Sequence, residues 1–349
     1  MRPCHGLAAM ERGSDMLPWS FERRDLREDD VAIRIRYCGV CHSDLHAVNK
    51  GSRFPLVPGH EIVGDVVAVG SAVTQFTPGQ AVVAGTIVDS CGHCDPCASN
   101  QESYCQEGVT TTYSGTDRQD GSTTRGGYSN EIVVHNKFVY PLPTGLEPAS
   151  VAPLLCAGIT TWSPLRHWQA GPGTSVGIIG LGGLGHMAVK FAKALGAHVV
   201  LFTRSPDKVE AGLALGADEV VLSTDDAQMK RLANRLDLIL NTAAEAQALD
   251  PYLRTLKLDG TLCSLNIPAQ FDFTPVLLTL GRRRLTSSGV GGTKETSEML
   301  AFCSEHGIAA DVEIIRADDI NHGFERLARG DVRYRLVIDM DTLTAPVAT

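Results

Sequence analysis

A chain of 349 residues, 43% of them hydrophobic, is too long for one ordinary core and apolar enough to build two domains. Its 31 basic and 40 acidic residues leave a net charge of −9, which repels phosphate backbones and anionic lipid and argues against nucleic acid or a membrane surface as partner. The N-terminus MRPCHGLAAMERGSD meets charges before a signal-peptide core accumulates, and the longest uncharged run is broken by Pro148, Pro153 and Pro164, so a cytoplasmic protein without a membrane helix is expected.

The first third reads as β-rich. Val31, Ile33, Ile35 and Tyr37 alternate with polar or small neighbours, the pattern of a half-buried strand, and IVGDVVAVG, AVVAGTIV and NEIVVHNKFVYPLP read as further strands between Gly and Pro punctuation. From about Thr174 the rhythm changes. SVGIIG is an unbroken apolar strand, and LGHMAVKFAKALG repeats apolar residues at helical spacing until Gly196. Then follow HVVLFT, a helix over Pro206 to Leu215, DEVVL, a helix near Asp225 to Asn234, LDLILNT, another helix, GTLCSL, a last helix and RLTSSGV. Six non-alternating strands separated by helices predict a parallel sheet covered on both faces. After Val290 come helices in KETSEMLAFCSEHG and near Asp319 to Arg329, and the strand RYRLVID. The fold class expected is α/β: a six-stranded Rossmann domain over 153–290, inserted into a β-rich catalytic domain formed by 1–152 and 291–349.

The insert opens with Gly180-Leu181-Gly182-Gly183-Leu184-Gly185, the G-x-G-x-x-G spacing between a strand and a helix. Gly180 permits the tight turn, Gly182 lets backbone approach a pyrophosphate, Gly185 lets helix and strand pack closely, and helix N-terminal amides hold the phosphates. Where an NAD site has Asp or Glu at the end of the second strand, this chain has Thr203, Arg204 and Ser205, with Lys208 just beyond. Cations and hydroxyls there favour the 2′-phosphate of NADP(H). The alternative is that Ser205 and Pro206 cap and start a helix while Arg204 is a solvated charge, and the two readings are compatible.

Ten cysteines in a reducing compartment point to metal ligation rather than disulfides. Cys91, Cys94, Cys97 and Cys105 supply four thiolates within fifteen residues, a lobe over 90–106 that would close a tetrahedral zinc shell and leave no position for substrate. That zinc is structural, with reactive redox thiols as the alternative. The chemistry is sought instead in CGVCHSDLH and PGHEIVG. Cys41 and His60 are metal ligands by type, and Cys156 is a candidate third, although alone it would read as a small buried apolar residue. Together they make a catalytic zinc of the Cys₂His kind, open at its fourth position.

With GVCHSDLH, PGHEIVG, the four-cysteine lobe, APLLCAGITTWSPLRHW and GLGGLGHMAVKFAKALGA in view, nearly the whole chain resembles the zinc-dependent medium-chain alcohol dehydrogenases, in their cinnamyl-alcohol-dehydrogenase-like branch of NADPH-dependent aldehyde reductases. The resemblance implies a GroES-like catalytic domain and two Zn²⁺ per chain, one held by Cys41, His60 and Cys156 with Glu61 able to approach it. It also implies a proton relay of Ser43 and His46, with Asp44 behind the zinc histidine, and a homodimer pairing near Thr286 to Val290. The expected reaction is reduction of a small aldehyde to a primary alcohol, with Ser43 passing the proton and His46 meeting solvent. The alternatives are an NAD-dependent polyol or secondary-alcohol dehydrogenase, and a non-catalytic NADPH-binding or structural protein on the same fold. The stretch through Arg27 and the loop Gln106 to Arg125 carry no diagnostic motif.

Overall fold

The computed structural model describes residues 1–243, 247–266 and 270–346. The chain divides into two compact units, Met1–Cys156 with Gly291–Thr349, and Ala157–Val290. The first unit opens on a hairpin that the sequence pattern did not reveal, β1 (Arg2–Ala9) antiparallel to β2 (Met16–Arg23). Neither strand alternates: β1 ends on four consecutive buried residues, and β2 carries Pro18.

The unit continues through β3 (Asp30–Val40), β4 (Ile62–Val69), β5 (Ala81–Ala84), β6 (Ile87–Asp89), β7 (Thr110–Thr111), β8 (Glu131–His135) and β9 (Val139–Pro141). The second unit holds β10 (Ser175–Ile179), β11 (His198–Thr203), β12 (Glu219–Leu222), β13 (Leu236–Asn241), β14 (Leu256–Ser264) and β15 (Arg284–Ser287). The chain then returns to the first unit as β16 (Val312–Arg316) and β17 (Arg335–Asp339).

In the first unit the main sheet runs β16-β17-β3-β4-β5-β9, with β8 also pairing β3. The 11-residue β3 is its spine, because Val31, Ile33 and Ile35 pack with Ile62, Val66, Val82, Ile132 and Val134 into one core. At burial of about 25 cal/mol per Å², side chains of this size each stabilise by roughly 1.5–3 kcal/mol. The far end of β3 therefore leaves the core at a fixed place, and Cys41 follows it directly.

In the second unit all six strands are parallel, in the order β12-β11-β10-β13-β14-β15. Helix Ala157–His167 packs on helix Gly185–Ala194 through Trp162 and Phe191, edge to face with ring centroids 5.4 Å apart. Among the described residues no helix is long and apolar enough to cross a membrane.

Candidate catalytic site and metal centres

Cys41 ends the chain's exit from β3 and caps helix His42–Lys50. Its sulfur accepts the Ser43 amide at 3.5 Å, while its own N–H donates to Asp44 Oδ2 at 2.9 Å, closing a capping box. His60 follows Gly59, whose φ of +97° lies in the left-handed region and turns the loop back on itself. The Gly59 amide and His60 Nδ1 both reach Asp44 Oδ1, at 3.0 and 3.1 Å. Cys156 comes from far along the chain, at the end of the short 3₁₀ turn Ala152–Leu155.

One ligand atom each from Cys41, His60, Glu61 and Cys156 lies within 4.8 Å of every other, and all four residues are buried. The sulfurs of Cys41 and Cys156 are 3.9 Å apart, and His60 Nε2 is 4.0 Å from Glu61 Oε1. Two thiolates on one tetrahedral zinc lie about 3.8 Å apart, so the sulfur spacing fits a shared metal. The two thiols divide one negative charge: Cys41 is held low, while its hydrogen bond and burial push Cys156 well above its ordinary value, so a cation would have to displace the second proton. The Cys156 thiol, aided by His60, holds the Cys41 pKa well below its ordinary value despite burial. Burial pulls the His60 pKa down, but the Asp44 carboxylate outweighs it and holds the pKa well above the usual histidine range. Asp44 occupies Nδ1 and leaves Nε2 for a metal. Glu61 pairs through Oε1 with Arg335, while its buried Oε2 has no hydrogen-bond partner among the described residues. Two sulfurs, an imidazole and a carboxylate buried within reach of one another suit a cation.

The second cluster, Cys91, Cys94, Cys97 and Cys105, has the same dimensions: Cys91 to Cys97 is 3.8 Å and Cys94 to Cys105 is 4.0 Å between sulfurs. These are not disulfides; all ten cysteines are free. Backbone amides of Cys91, Cys94 and Gln106 point at the sulfurs of Cys105, Cys91 and Cys94, and the Gln106 amide leads in pulling the Cys94 pKa down to about 6. Burial pushes Cys97 up to about 11, and a metal would have to overcome that cost. Inside the lobe, buried Glu102 accepts from the Thr293 amide at 2.9 Å and from Lys137 Nζ at 2.8 Å. The lobe is thereby tied to the start of helix Thr293–His306.

Ser43 and His46 are exposed and lie three residues apart on helix His42–Lys50, so they share a face. Ser43 Oγ is 3.6 Å from Cys41 Sγ, which sets it beside the Cys41, His60 and Cys156 cluster. In the second unit, Gly180 has φ +92° at the turn out of β10. A side chain at Gly185 would collide with the Gly180 carbonyl, whereas one at Gly182 would enter open space, the room that a pyrophosphate needs. Leu181 is buried, and Gly183 and Leu184 are half-buried, in the same turn. Lys208 Nζ donates to the Leu181 carbonyl at 3.3 Å, which brings a cation over this loop. Thr203 ends β11 and accepts the Ser205 amide at 3.1 Å. Pro206 starts a 3₁₀ turn at whose N-cap the Ser205 side chain makes no capping bond, and Arg204 is exposed.

Three residues around the candidate cluster escaped sequence reasoning. Arg335, in β17, pairs with Glu61 across 274 positions. Tyr128 donates to Asp44 Oδ2 at 3.2 Å. Tyr113 sets its ring 5.7 Å from the His60 imidazole, and its phenol pKa is raised well above the ordinary value by burial. The one available signal was Tyr113 itself, the single aromatic between Gln106 and Arg125.

Residues 27–144 match the alcohol dehydrogenase GroES-like domain family, and residues 183–305 match the zinc-binding dehydrogenase family. The chain is 53% identical over 333 residues to the aldehyde reductase YahK of Escherichia coli, covering 94% of this chain and 95% of that one. Among solved structures, cinnamyl alcohol dehydrogenase SbCAD4 from Sorghum bicolor superposes with a TM-score of 0.96 at 40% identity, covering 99% of this chain and 100% of that one. The cinnamyl alcohol dehydrogenase of Helicobacter pylori, complexed with NADP(H), does so with a TM-score of 0.91 at 37% identity, covering 98% and 99%.

Proposed function

Since the chain belongs to the zinc-dependent alcohol dehydrogenases, with their GroES-like and zinc-binding dehydrogenase domains, we propose that it reduces small aldehydes reversibly to primary alcohols with NADPH. The observation that carries this reading is the buried cluster of Cys41, His60, Glu61 and Cys156, whose two sulfurs and imidazole would hold a zinc and leave a further position to substrate. The metal there supplies Lewis acidity to the carbonyl and the reduced nicotinamide supplies a hydride. The protein's own groups do the rest. Asp44 holds the His60 ring in the tautomer that presents Nε2, Ser43 at the second position of its helix delivers a proton to the developing alcohol oxygen, and exposed His46 replaces that proton from solvent. Glu61 would be the residue able to approach the metal when substrate is absent, and the four-cysteine lobe would hold a second, structural zinc. The first unit is then the catalytic domain and the second the cofactor domain.

The cofactor preference rests on the end of β11, where Thr203, Arg204 and Ser205 stand in place of an acid. The missing acid disfavours an NAD-dependent polyol or secondary-alcohol dehydrogenase. A charge-assisted bond from Arg204 to the 2′-phosphate contributes roughly 1.5–3 kcal/mol, about one to two orders of magnitude in cofactor preference. Arg204→Ala is expected to lose most of that preference. Thr203→Asp is expected to go further, since its carboxylate repels the phosphate and attracts the ribose hydroxyls of NADH. The check is kcat/KM with both cofactors at fixed moderate salt; unchanged discrimination in Arg204→Ala would reduce this arginine to a solvated charge.

A homodimer is supported by the free edge strand β15 and by exposed Leu258, Val276 and Leu280 on the same unit. A cytoplasmic location is supported by Cys4, Cys38, Cys263 and Cys303, thiols that in this reading neither bind metal nor form disulfides. Aldehyde-dependent oxidation of NADPH by a protein containing two zinc ions per chain tests the whole reading. A chain that binds NADPH and consumes none across aromatic, branched and linear aldehydes would overturn it in favour of a binding protein.

A further inference from the structure

We propose that Tyr128 is a positioning residue for the catalytic metal ligands: its hydroxyl locks the Asp44 carboxylate, which in turn holds both ligand-bearing loops. The inference rests on the reading of Cys41, His60 and Cys156 as zinc ligands. Asp44 is wholly buried, and among the described residues its carboxylate accepts at least four hydrogen bonds, two or more on each oxygen. Oδ1 takes the Gly59 amide and His60 Nδ1, while Oδ2 takes the Cys41 amide and the Tyr128 hydroxyl. One carboxylate therefore spans the loop after β3 and the loop before β4, and its rotation would move either ligand away from the other.

Tyr128 is built to stop that rotation. It is among the largest fully buried side chains. Its backbone is clamped, because its N–H donates to the Pro58 carbonyl at 3.0 Å and its own carbonyl accepts from the Leu7 amide at 2.8 Å. The preceding Gly126 and Gly127 donate in the same way to the carbonyls of Val57 and Gly59, at 2.7 and 2.8 Å. The ring lies so close to Gly59 that any side chain there would meet it. Segment 126–128 thus runs alongside 57–59, the stretch that delivers His60, and the phenol projects from it onto the far oxygen of Asp44. A phenylalanine would fill the same space. Only the hydroxyl adds a directed bond to Oδ2, and a buried carboxylate oxygen that loses a donor loses orientation as well as energy.

The test uses the full chain loaded with two zinc ions and reads metal retention rather than turnover. Partners of a metal's own ligands typically alter affinity by about 10- to 100-fold. For Tyr128→Phe the expected result sits at the low end: one zinc equivalent is released to a colorimetric chelator about tenfold faster than in the wild type, and the other is unchanged. With cobalt in place of zinc, the visible band of the Cys₂His site shifts while the four-thiolate band stays. In an Asp44→Asn background the same substitution adds little, because the two groups act as one. Equal acceleration of both zinc equivalents would mean general loosening, and unchanged release with an unchanged cobalt band would mean that the hydroxyl is ornamental; either overturns the inference. A wild-type chain that holds a single zinc would instead sink the reading of the metal site, and this inference with it.

Discussion

Cys156→Ala is expected to fold, to keep the zinc of the four-cysteine lobe, and to lose aldehyde turnover by about three orders of magnitude or more. The reason is an asymmetry between the two clusters. Cys156 contributes one sulfur to a set whose other members, Cys41 and His60, are held by the Asp44 hydrogen bonds and the β3 core whether or not a metal is present. Replacing that thiol by hydrogen removes a single heavy atom and costs little packing, but it removes one of the three proposed ligands. Lewis acidity contributes several kcal/mol of transition-state stabilisation, and each 1.36 kcal/mol is about tenfold in rate. The matched substitution Cys97→Ser should do the reverse. Cys97 is 2% exposed inside a lobe of short turns with little apolar core of its own, so metal binding supplies folding energy there directly. Losing it loosens Glu102 and with it the contact to Thr293. Melting temperature should fall, with turnover per folded molecule largely kept. Zinc content, melting curves and kcat measured on both variants decide the matter, and the opposite pattern would exchange the roles of the two clusters.

Ser43→Ala is the second large effect, a loss of about two to four orders of magnitude in kcat, the usual range for a general acid–base group. Zinc content and NADPH affinity should be unchanged, because the Ser43 side chain is no ligand and the Cys41 cap uses the residue's backbone amide. Its hydroxyl lies 3.6 Å from Cys41 Sγ, in the first turn of helix His42–Lys50, where the positive end of the helix dipole eases transient negative charge on oxygen. His46→Ala should be milder. That imidazole is exposed, so water can take over the solvent end of the relay. Full activity in Ser43→Ala would eliminate the relay as described.

What was legible in the sequence had a local signature. Unbroken apolar runs such as SVGIIG and LDLILNT announce strands buried on both faces, and the parallel direction of β10 to β15 follows from helices alternating with them, though their spatial order does not. Ligand types at short spacing are equally local: the four cysteines of the lobe, the Cys41 and His60 motifs, and the glycines from Gly180 to Gly185 can all be found by counting. Arg204 beyond Thr203 is visible for the same reason, as a departure from an expected acid.

Tertiary structure alone decided the remainder, because long-range pairing leaves no period in the chain. The hairpin of β1 and β2 has no alternation to show, since β1 buries four residues in a row and β2 tolerates a proline. Arg335 looks like any strand arginine until chain closure sets it against Glu61, 274 residues away, in a buried pair that neither residue could sustain alone. Tyr128 meets Asp44 across 84 residues, and Tyr113 reaches His60 from a loop without pattern. The sequence by itself determined which residues could ligate, cradle and relay. Only the packed chain determined which buried charges and hydroxyls orient them, because that choice depends on desolvated contacts that exist after the sheet has closed and not before.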